Sequence, residues 1–293
     1  MTIRHLKVFI SVCDTGSMSR AAKLLHIAQP AVSYTISELE RLSSAKLFER
    51  VNQKLVISDF GKELLQKARE AVSSFEECES LVHRGIGVES VKIGASITIG
   101  KTIIPRLISE VKELFTSVLP FVSINSTKII TDQVESGKLD FALVEGIVSA
   151  PPLSALELSG DKLIAAASAD FPAPKKCSVT ELSKFPLLLR EAGGVSRELV
   201  ENLFKNLSIP FTPFIESSST DALLSAAKSG LGIVILPSVL LENAISSGEL
   251  HEIEISDALL ERKYYLIKNK SRTLSKTAEK IYELFVKESK NHT

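Results

Sequence analysis

The sequence has 293 residues, of which 44% are hydrophobic, and its 35 basic and 35 acidic side chains give a formal net charge of zero. This composition excludes a disordered chain, and the length allows two or three compact units with cores of their own. No apolar run approaches the roughly 18 residues that a spanning helix needs, and the run at residues 8–13 is too short for a signal peptide. We therefore expect a cytoplasmic protein with no membrane partner.

The charge is unevenly distributed along the chain. Up to Ser58 there are eight basic and four acidic side chains, so this segment carries +4 and the remainder carries −4. No acidic residue stands between Thr15 and Ser37. That surface could approach a phosphate backbone without like-charge repulsion.

Cysteine and histidine suggest neither a disulfide framework nor a metal site. Cys13, Cys78 and Cys177 are an odd number and lie far apart, and the five histidines show no metal-ligand spacing. No pairing of a nucleophile with a base can be nominated. We expect no metal, no cofactor and no catalytic residue.

The first predicted elements are three short helices. Apolar residues at helical spacing predict a helix over residues 3–13, Ser17 can cap a second one, and a turn at residues 26–28 precedes a third. The third helix begins at Gln29-Pro30 and buries Val32, Ile36 and Leu39. Two small helices joined by a tight turn are typical of proteins that read the DNA major groove.

The outer face of the third helix supplies the residues expected to contact DNA. A polar face that packing does not use is suited to base and phosphate contacts, although it could also be a solvated surface. The residues expected on it are Gln29, Pro30, Ser33, Tyr34 and Ser37.

A β-hairpin, or wing, is predicted where two apolar runs flank residues 52–54. Four cations of the second helix and the wing are candidates for phosphate contacts, with simple surface charge as the equally plain alternative. These cations are Arg20, Lys23, Arg50 and Lys54.

A long helix is predicted from Asp59 to about Arg84. Its apolar or small residues alternate in steps of four and three, which predicts a coiled-coil seam that pairs with another chain. The alternative is an ordinary amphipathic helix on a core of its own domain. The seam residues are Leu64, Ala68, Ala71, Phe75, Cys78 and Val82.

After Glu89, short β-branched runs alternate with helical patterns, which predicts an α/β domain with a largely parallel sheet. Strands are expected at residues 91–95, 121–125, 141–144, 187–189 and 233–236, and a last helix at 274–288 is expected to pack back on the first half. Hydroxyls and free backbone N–H groups where a strand meets a helix suit an anion, although capping alone would also explain them. These residues are Ser96, Thr98, Ile99 and Gly100.

The same segment, residues 94–102, nearly spells a phosphate-binding P-loop. Five residues separate its two glycines instead of four, and three β-branched residues between them resist the required curl. An α/β nucleotide-dependent enzyme with a DNA-binding tether is therefore kept only as the alternative function.

The N-terminal motifs resemble those of LysR-type transcriptional regulators. The resemblance covers the whole chain, and its order and spacing are specific up to Arg50, through Phe9, Gly16-Ser17, Ala21-Ala22, Leu25, Gln29-Pro30-Ala31-Val32-Ser33, Ile36, Leu39-Glu40 and Leu47-Phe48. The later match is looser and includes Arg190-Glu191, Gly193, Ser196-Arg197, Gly230-Leu231-Gly232 and Pro237.

The resemblance implies an N-terminal winged helix-turn-helix at 1–58, a linker helix for dimerisation at 59–88 and an effector-binding domain at 89–293. The effector domain would be two-lobed α/β and similar to periplasmic binding proteins, with lobe I at about 89–162 and 267–293 and lobe II at about 163–266. A homodimer or homotetramer would bind double-stranded promoter DNA, and a small effector, expected to be a carboxylate or other anion, would alter those contacts. Thr127, Gly194 and Ser196 join the expected effector contacts.

Three departures from the family pattern stand out. Ala28 replaces a hydroxyl residue before Gln29, and Ser43-Ser44-Ala45 replaces a glycine-bearing turn. Gly194-Val195 stands where many relatives have Ser and Gly. The first two bear on DNA affinity, and the third bears on the effector site.

Overall fold

The structure is a computed structural model that describes residues 1–51, 54–84, 89–146 and 150–290. The chain divides into two units, residues 1–88 with 136–138, and residues 89–135 with 139–293. The sequence also predicts a boundary at residue 89.

The first unit holds four helices and one hairpin within its described residues. They are α1 (Ile3–Thr15), α2 (Met18–Leu24), α3 (Gln29–Ser43), β1 (Phe48–Val51), β2 (Lys54–Ile57) and α4 (Asp59–Arg84). The strands β1 and β2 pair antiparallel, from Phe48 opposite Ile57 to Val51 opposite Lys54. The predicted wing is confirmed, and its tip at residues 52–53 lies outside the described residues.

Local chemistry explains where the first helices begin and end. The Ser17 hydroxyl accepts a hydrogen bond from the Arg20 N–H at 3.4 Å, so it caps α2 as predicted. Gly16 ends α1 in a left-handed conformation, which glycine adopts without steric cost. Val32, Ile36 and Leu39 of α3 are buried against α1 and α2, which confirms the predicted inner face.

The first half of α4 packs on its own domain, so the predicted seam is wrong there. Ala68 is 1% exposed and Leu64 is half-buried, and both belong to the same core as Phe9 of α1. Along this half, burying apolar surface against α1 outweighs leaving it for another chain. Further along, the predicted seam residues are exposed, and these are Ala71, Phe75, Cys78 and Val82.

The second unit is built on one mixed sheet flanked by helices. Its strands are β3 (Glu89–Ser96), β4 (Val118–Asn125), β5 (Phe141–Glu145), β6 (Leu153–Ser168), β7 (Lys176–Cys177), β8 (Leu187–Arg190), β9 (Ile215–Ser217), β10 (Ile233–Pro237), β11 (Leu250–Ile255) and β12 (Leu260–Asn269). Its helices are α5 (Ile97–Thr102), α6 (Ile104–Leu114), α7 (Thr127–Glu135), α8 (Val179–Leu182), α9 (Val195–Asn206), α10 (Thr220–Lys228), α11 (Ser238–Ser246) and α12 (Lys276–Lys290).

The strand order shows two lobes joined by two long strands. In lobe I, β4, β3 and β5 are parallel, and in lobe II, β10, β8 and β9 are parallel. Between them, β12 pairs antiparallel with β5 and β6, and β6 pairs antiparallel with β10 and β11. The expectation of a largely parallel sheet is therefore wrong at the centre, where the chain crosses between lobes in antiparallel strands.

Each lobe has its own core. In lobe I, Phe141 of β5 packs edge-on against Phe285 of α12 at 5.4 Å, which confirms that the last helix returns to the first half. In lobe II, Phe204 of α9 packs with residues of β8 and β10. The carboxyl end of β5 and the start of α9 bring polar residues to the cleft between these cores.

Candidate functional site

The outer face of α3 is exposed over its whole first half. Gln29, Pro30, Tyr34 and Ser37 are exposed, Tyr34 by 71%, and Ser33 is half-buried. The N-cap position is occupied by Ala28, which makes no side-chain capping bond. Because other residues of this helix supply its packing, these side chains are available to a partner.

The far end of α3 is fixed to the wing. The Glu40 carboxylate accepts hydrogen bonds from the Leu47 N–H and the Lys46 Nζ, both at 2.9 Å. The Ser58 hydroxyl donates to the Lys46 carbonyl at 2.6 Å. These contacts hold the helix and the hairpin in one orientation, which a helix that reads a groove requires.

Three of the four predicted phosphate contacts are exposed cations without a partner in the described part of the chain. Arg20 and Lys23 lie on α2, and Arg50 lies on β1. By contrast, Lys7, Lys46 and Arg69 of this unit each lie 2.9 Å or less from a carboxylate. The Lys54 side chain lies outside the described residues. The three free cations could therefore neutralise phosphates without first breaking an internal ion pair.

A second candidate site lies between the two lobes of the other unit. It is a small cavity of about 30 Å³, which holds little more than one water-sized group. Lobe I and lobe II both contribute to its lining, which consists of Ile97, Ser126, Thr127, Glu145, Arg190, Glu191, Gly194, Val195 and Ser196.

The predicted effector contacts fall into two groups. Thr127, Gly194 and Ser196 line the cavity, and Ser96 reaches it indirectly because its hydroxyl donates to the Glu145 carboxylate. Three others do not line it, namely Thr98, Ile99 and Gly100.

Packing explains why these three residues do not line the cavity. Ile99 is fully buried in the core of lobe I. Gly100 lies under Ile124, and a Cβ there would come within 2.6 Å of that side chain. Thr98 is 2% exposed, and its carbonyl accepts from the Thr102 hydroxyl at 2.9 Å.

Arg262, on the crossing strand β12, links the lobes beneath this cavity. Its guanidinium donates to both carboxylate oxygens of Asp161 on β6, at 2.5 and 2.7 Å. Its Nη1 donates to the Ser196 hydroxyl at 3.0 Å and lies 3.3 Å from Glu145. The Arg262 side chain is 1% exposed, so its charge is balanced by carboxylates of this chain and not by solvent.

Arg190, at the end of β8, is paired in a similar way. Its Nε and Nη2 donate to the two oxygens of Glu191 at 2.7 and 3.0 Å, and its Nη1 donates to the Thr220 hydroxyl at 3.2 Å. Arg197 of α9 is bound to Glu201 and Glu216. Both arginines of lobe II nearest the cavity are therefore already bound to carboxylates.

Glu145 is the buried carboxylate of the site. It is 7% exposed, and burial raises the pKa of its carboxyl above the ordinary value, although Arg262 opposes that rise. The Thr127 hydroxyl donates to its backbone carbonyl at 3.2 Å. A group in the cavity would thus face a buried carboxylate that also contacts Arg262.

Sequence reasoning missed Glu145, Asp161 and Arg262 as site residues. Asp161 and Arg262 meet because β6 and β12 pair, although 101 positions separate them. The signal in the sequence was weak, because Asp161 and Arg262 each stand beside other charged residues in their stretches, Lys162 in one and Glu261 and Lys263 in the other. Those stretches were not predicted as strands.

A larger cavity of about 690 Å³ opens on the same crossing strands. Asp161 and Arg262 also contribute to its wall, together with Tyr264 and the start of α11. The pKa of the Tyr264 hydroxyl is raised by burial and by the nearby Asp161 carboxylate to which it is hydrogen-bonded. This cavity was not anticipated from the sequence.

The near P-loop does not form a phosphate-binding loop. Gly94 lies inside β3, where a Cβ would come within 2.7 Å of Ala142, and α5 after it has only six residues. Lys101 is bound at 2.8 Å to Asp221 of lobe II. The segment therefore serves packing and lobe contact, which removes the observation that favoured a nucleotide-dependent enzyme.

Among the described residues, no group of three or more His, Cys, Asp or Glu is arranged to hold a metal ion. Burial raises the pKa of the Cys13 thiol to about 12, which disfavours its reactive thiolate. None of the helices in the described ranges is both long and apolar enough to cross a membrane.

Two family models match the chain, one for each unit. The model described as "Bacterial regulatory helix-turn-helix protein, lysR family" matches residues 3–62, and "LysR substrate binding domain" matches residues 87–290. Together they cover the winged helix and the two-lobed domain.

The chain is also similar to curated regulators over almost its full length. It is 27% identical to the "Uncharacterized HTH-type transcriptional regulator YeiE" of Escherichia coli strain K12, over 94% of each chain. It is 26% identical to the "HTH-type transcriptional activator CmpR" of Synechocystis, over 95% of this chain and 92% of that protein.

Among solved structures, the regulatory domain of Synechocystis CcmR in complex with 2-PG shares the fold of the two-lobed unit. The TM-score is 0.64 with 21% sequence identity, and the match covers 70% of this chain and 99% of that one.

Proposed function

The chain belongs to the LysR family of DNA-binding transcriptional regulators, and on that premise we propose that α3 reads promoter DNA while a small molecule held between the lobes changes those contacts. The observation that carries the proposal is the exposed polar face of α3 beside the free cations of α2 and β1. The family comparisons favour this function over a nucleotide-dependent enzyme.

Each part of the DNA surface has its own role. Gln29 at the start of α3 can form paired hydrogen bonds with an adenine edge, and Tyr34 and Ser33 can contact bases or phosphates. Arg20, Lys23 and Arg50 would bind phosphates, which orients the protein without reading sequence. Ala28 supplies no hydroxyl here, so we expect one anchor fewer than in relatives that carry one.

The effector would bind in the cleft lined by Thr127, Gly194 and Ser196. A metabolite complex of a similar regulatory domain, CcmR with 2-PG, supports a small-molecule ligand for this kind of domain. The sequence predicts an anion, but Arg190 and Arg262 are both already paired with carboxylates. The proposal for this site is therefore limited to a small polar molecule.

We further expect a homodimer or dimer of dimers, because the second half of α4 exposes apolar residues along one seam. A promoter target also implies that the protein acts in the compartment that holds the DNA, which we propose to be the cytoplasm.

Selection from a library of randomised duplexes tests this function. The full-length chain should enrich a sequence with two similar half-sites separated by about 10–10.5 base pairs or a multiple of that spacing. Its affinity for that duplex should exceed its affinity for a scrambled one by about 10³-fold or more, and should fall as salt rises. Equal affinity for all duplexes after selection would contradict the proposal.

A further inference from the structure

We propose that the cleft between the lobes takes a ligand bearing an ammonium or similar cationic group, which the Glu145 carboxylate receives. The inference rests on the proposed function, in which this cleft is the effector site. It replaces the anionic ligand expected from the sequence, and it follows from which charges of the cleft are already paired.

The two arginines that could bind an anion are both already paired with carboxylates. Arg190 meets Glu191 through two hydrogen bonds, and Arg262 meets Asp161 through two. Guanidinium and carboxylate groups bound in this two-point manner neutralise each other and use their best donors. An anionic ligand would have to displace one of these carboxylates.

The carboxylates of the site outnumber its guanidiniums. Arg262 also lies 3.3 Å from Glu145, so one guanidinium serves two carboxylates there. With Arg190 and Glu191 added, the site holds three carboxylates and two guanidiniums. It therefore carries one uncompensated negative charge when all five groups are ionised.

The helix α9 begins at the cleft. The amino end of α9 could itself attract an anion, because its first N–H groups point outward. The Glu191 carboxylate already lies beside it, since a Cβ on Gly194 would be 3.8 Å from a Glu191 carboxylate oxygen. Glu198 adds a second carboxylate in the first turn. The partial positive charge at the amino end of α9 is therefore already balanced by carboxylates of this chain.

Glu145 is more than nine-tenths buried and lines the cavity. Its carboxylate accepts a hydrogen bond from the Ser96 hydroxyl. A buried carboxylate short of positive charge is stabilised by a cation and repels an anion, and both effects are strong because little water screens them. Burial raises the Glu145 pKa, and a bound cation would oppose that rise as Arg262 does.

The size of the cavity limits what enters in this form of the domain. About 30 Å³ accommodates a head group such as an ammonium but not a whole metabolite. The rest of the ligand would have to lie between parted lobes. The Lys101–Asp221 pair, which is exposed and joins the lobes at 2.8 Å, would open in that movement.

Two pairs of probes, matched in size and opposite in charge, test the inference on the full-length protein. Binding is measured by titration calorimetry and thermal shift at fixed ionic strength. The pairs are methylammonium with acetate, and 1,4-diaminobutane with succinate. At least one amine should bind saturably and more tightly than its matched acid. Glu145→Gln, which keeps the shape, should weaken that binding at least tenfold, since the neutral amide cannot pair with the charge of the ammonium.

The control is Glu113→Gln, which removes the same charge from an exposed position on α6 and should leave amine binding unchanged. Glu145→Asp keeps the charge and should keep the preference for the amine, which separates charge from folding. Tighter binding of an acid to the wild type, lost in Ser196→Ala, would overturn the inference but preserve a small-molecule site in the cleft. Binding of neither amine would also overturn it, whereas failure of the proposed function would appear independently in the duplex selection.

Discussion

Ser44 ends α3 in a left-handed backbone conformation, with φ of 53°. A residue with a Cβ is strained there by about 1–2 kcal/mol, whereas glycine is not. The sequence already marked this turn as a departure, because glycine is usual in it. The left-handed conformation at Ser44 explains why serine in place of glycine lowers the stability of this turn.

Ser44→Gly should therefore raise the free energy of unfolding of the winged helix by about 0.5–1 kcal/mol, the relief of strain being partly offset by glycine's greater freedom when unfolded. Chemical denaturation followed by circular dichroism measures this. The matched control is Ser43→Gly, one residue earlier and still helical, which should lower stability by a similar amount. A loss of stability in both variants would contradict the account of Ser44.

Residues whose role depends on local spacing could be predicted, and those whose role depends on distant pairing could not. The inner face of α3 follows from helical periodicity, and so does the exposure of Gln29 on the other face. Glu145 lines the cavity, and Asp161 is joined to it because Arg262 reaches both carboxylates from another strand. No local pattern contains that information.

At the scale of elements, α4 has two different environments along its 26 residues. As far as Val72 it contributes residues such as Ala68 to the core of the winged helix. Its second half exposes Phe75 by 41% and Val82 by 80%. A repeat of fours and threes fits both a domain core and a coiled coil, so the sequence alone could not tell where one use ends.

Phe75→Asp should shift the protein from dimer towards monomer, because it places a charge in the exposed seam. Sedimentation velocity over a range of protein concentrations measures the shift. Ser74→Asp is the control, since it adds the same charge to a neighbouring exposed position outside the seam and should leave the dimer intact. An unchanged sedimentation profile for Phe75→Asp would contradict dimerisation through the seam.

The crossing strands show the other limit of prediction at this scale. In β6, buried and exposed positions alternate poorly, and its second half is buried on both faces. In β12, buried positions do alternate from Leu260 to Leu266, but Arg262 occupies one of the buried positions, so the polarity of the residues does not follow their burial. Neither strand therefore shows in its sequence the alternation of apolar and polar residues that predicts a half-buried strand, and their antiparallel pairing was missed with them.

The whole molecule separates two tasks between its two units, and the charge follows that division. The segment up to Ser58 carries +4 within a chain of zero net charge, and the free cations of α2 and β1 lie on it. The effector domain instead pairs its buried arginines with carboxylates of its own. A neutral total therefore hides a basic surface suited to DNA and a cleft suited to a different partner.

The most direct test of the central claim is the equilibrium affinity of the wild type, Gln29→Ala and Arg20→Ala for the selected duplex and a scrambled one, at about 150 mM salt. Gln29→Ala should lose about 1–3 kcal/mol on the selected duplex and nothing on the scrambled one, because Gln29 reads a base. Arg20→Ala should weaken both to a similar degree, because a phosphate contact carries no sequence information. Equal losses of Gln29→Ala on the two duplexes would contradict the claim that α3 reads the sequence of its DNA.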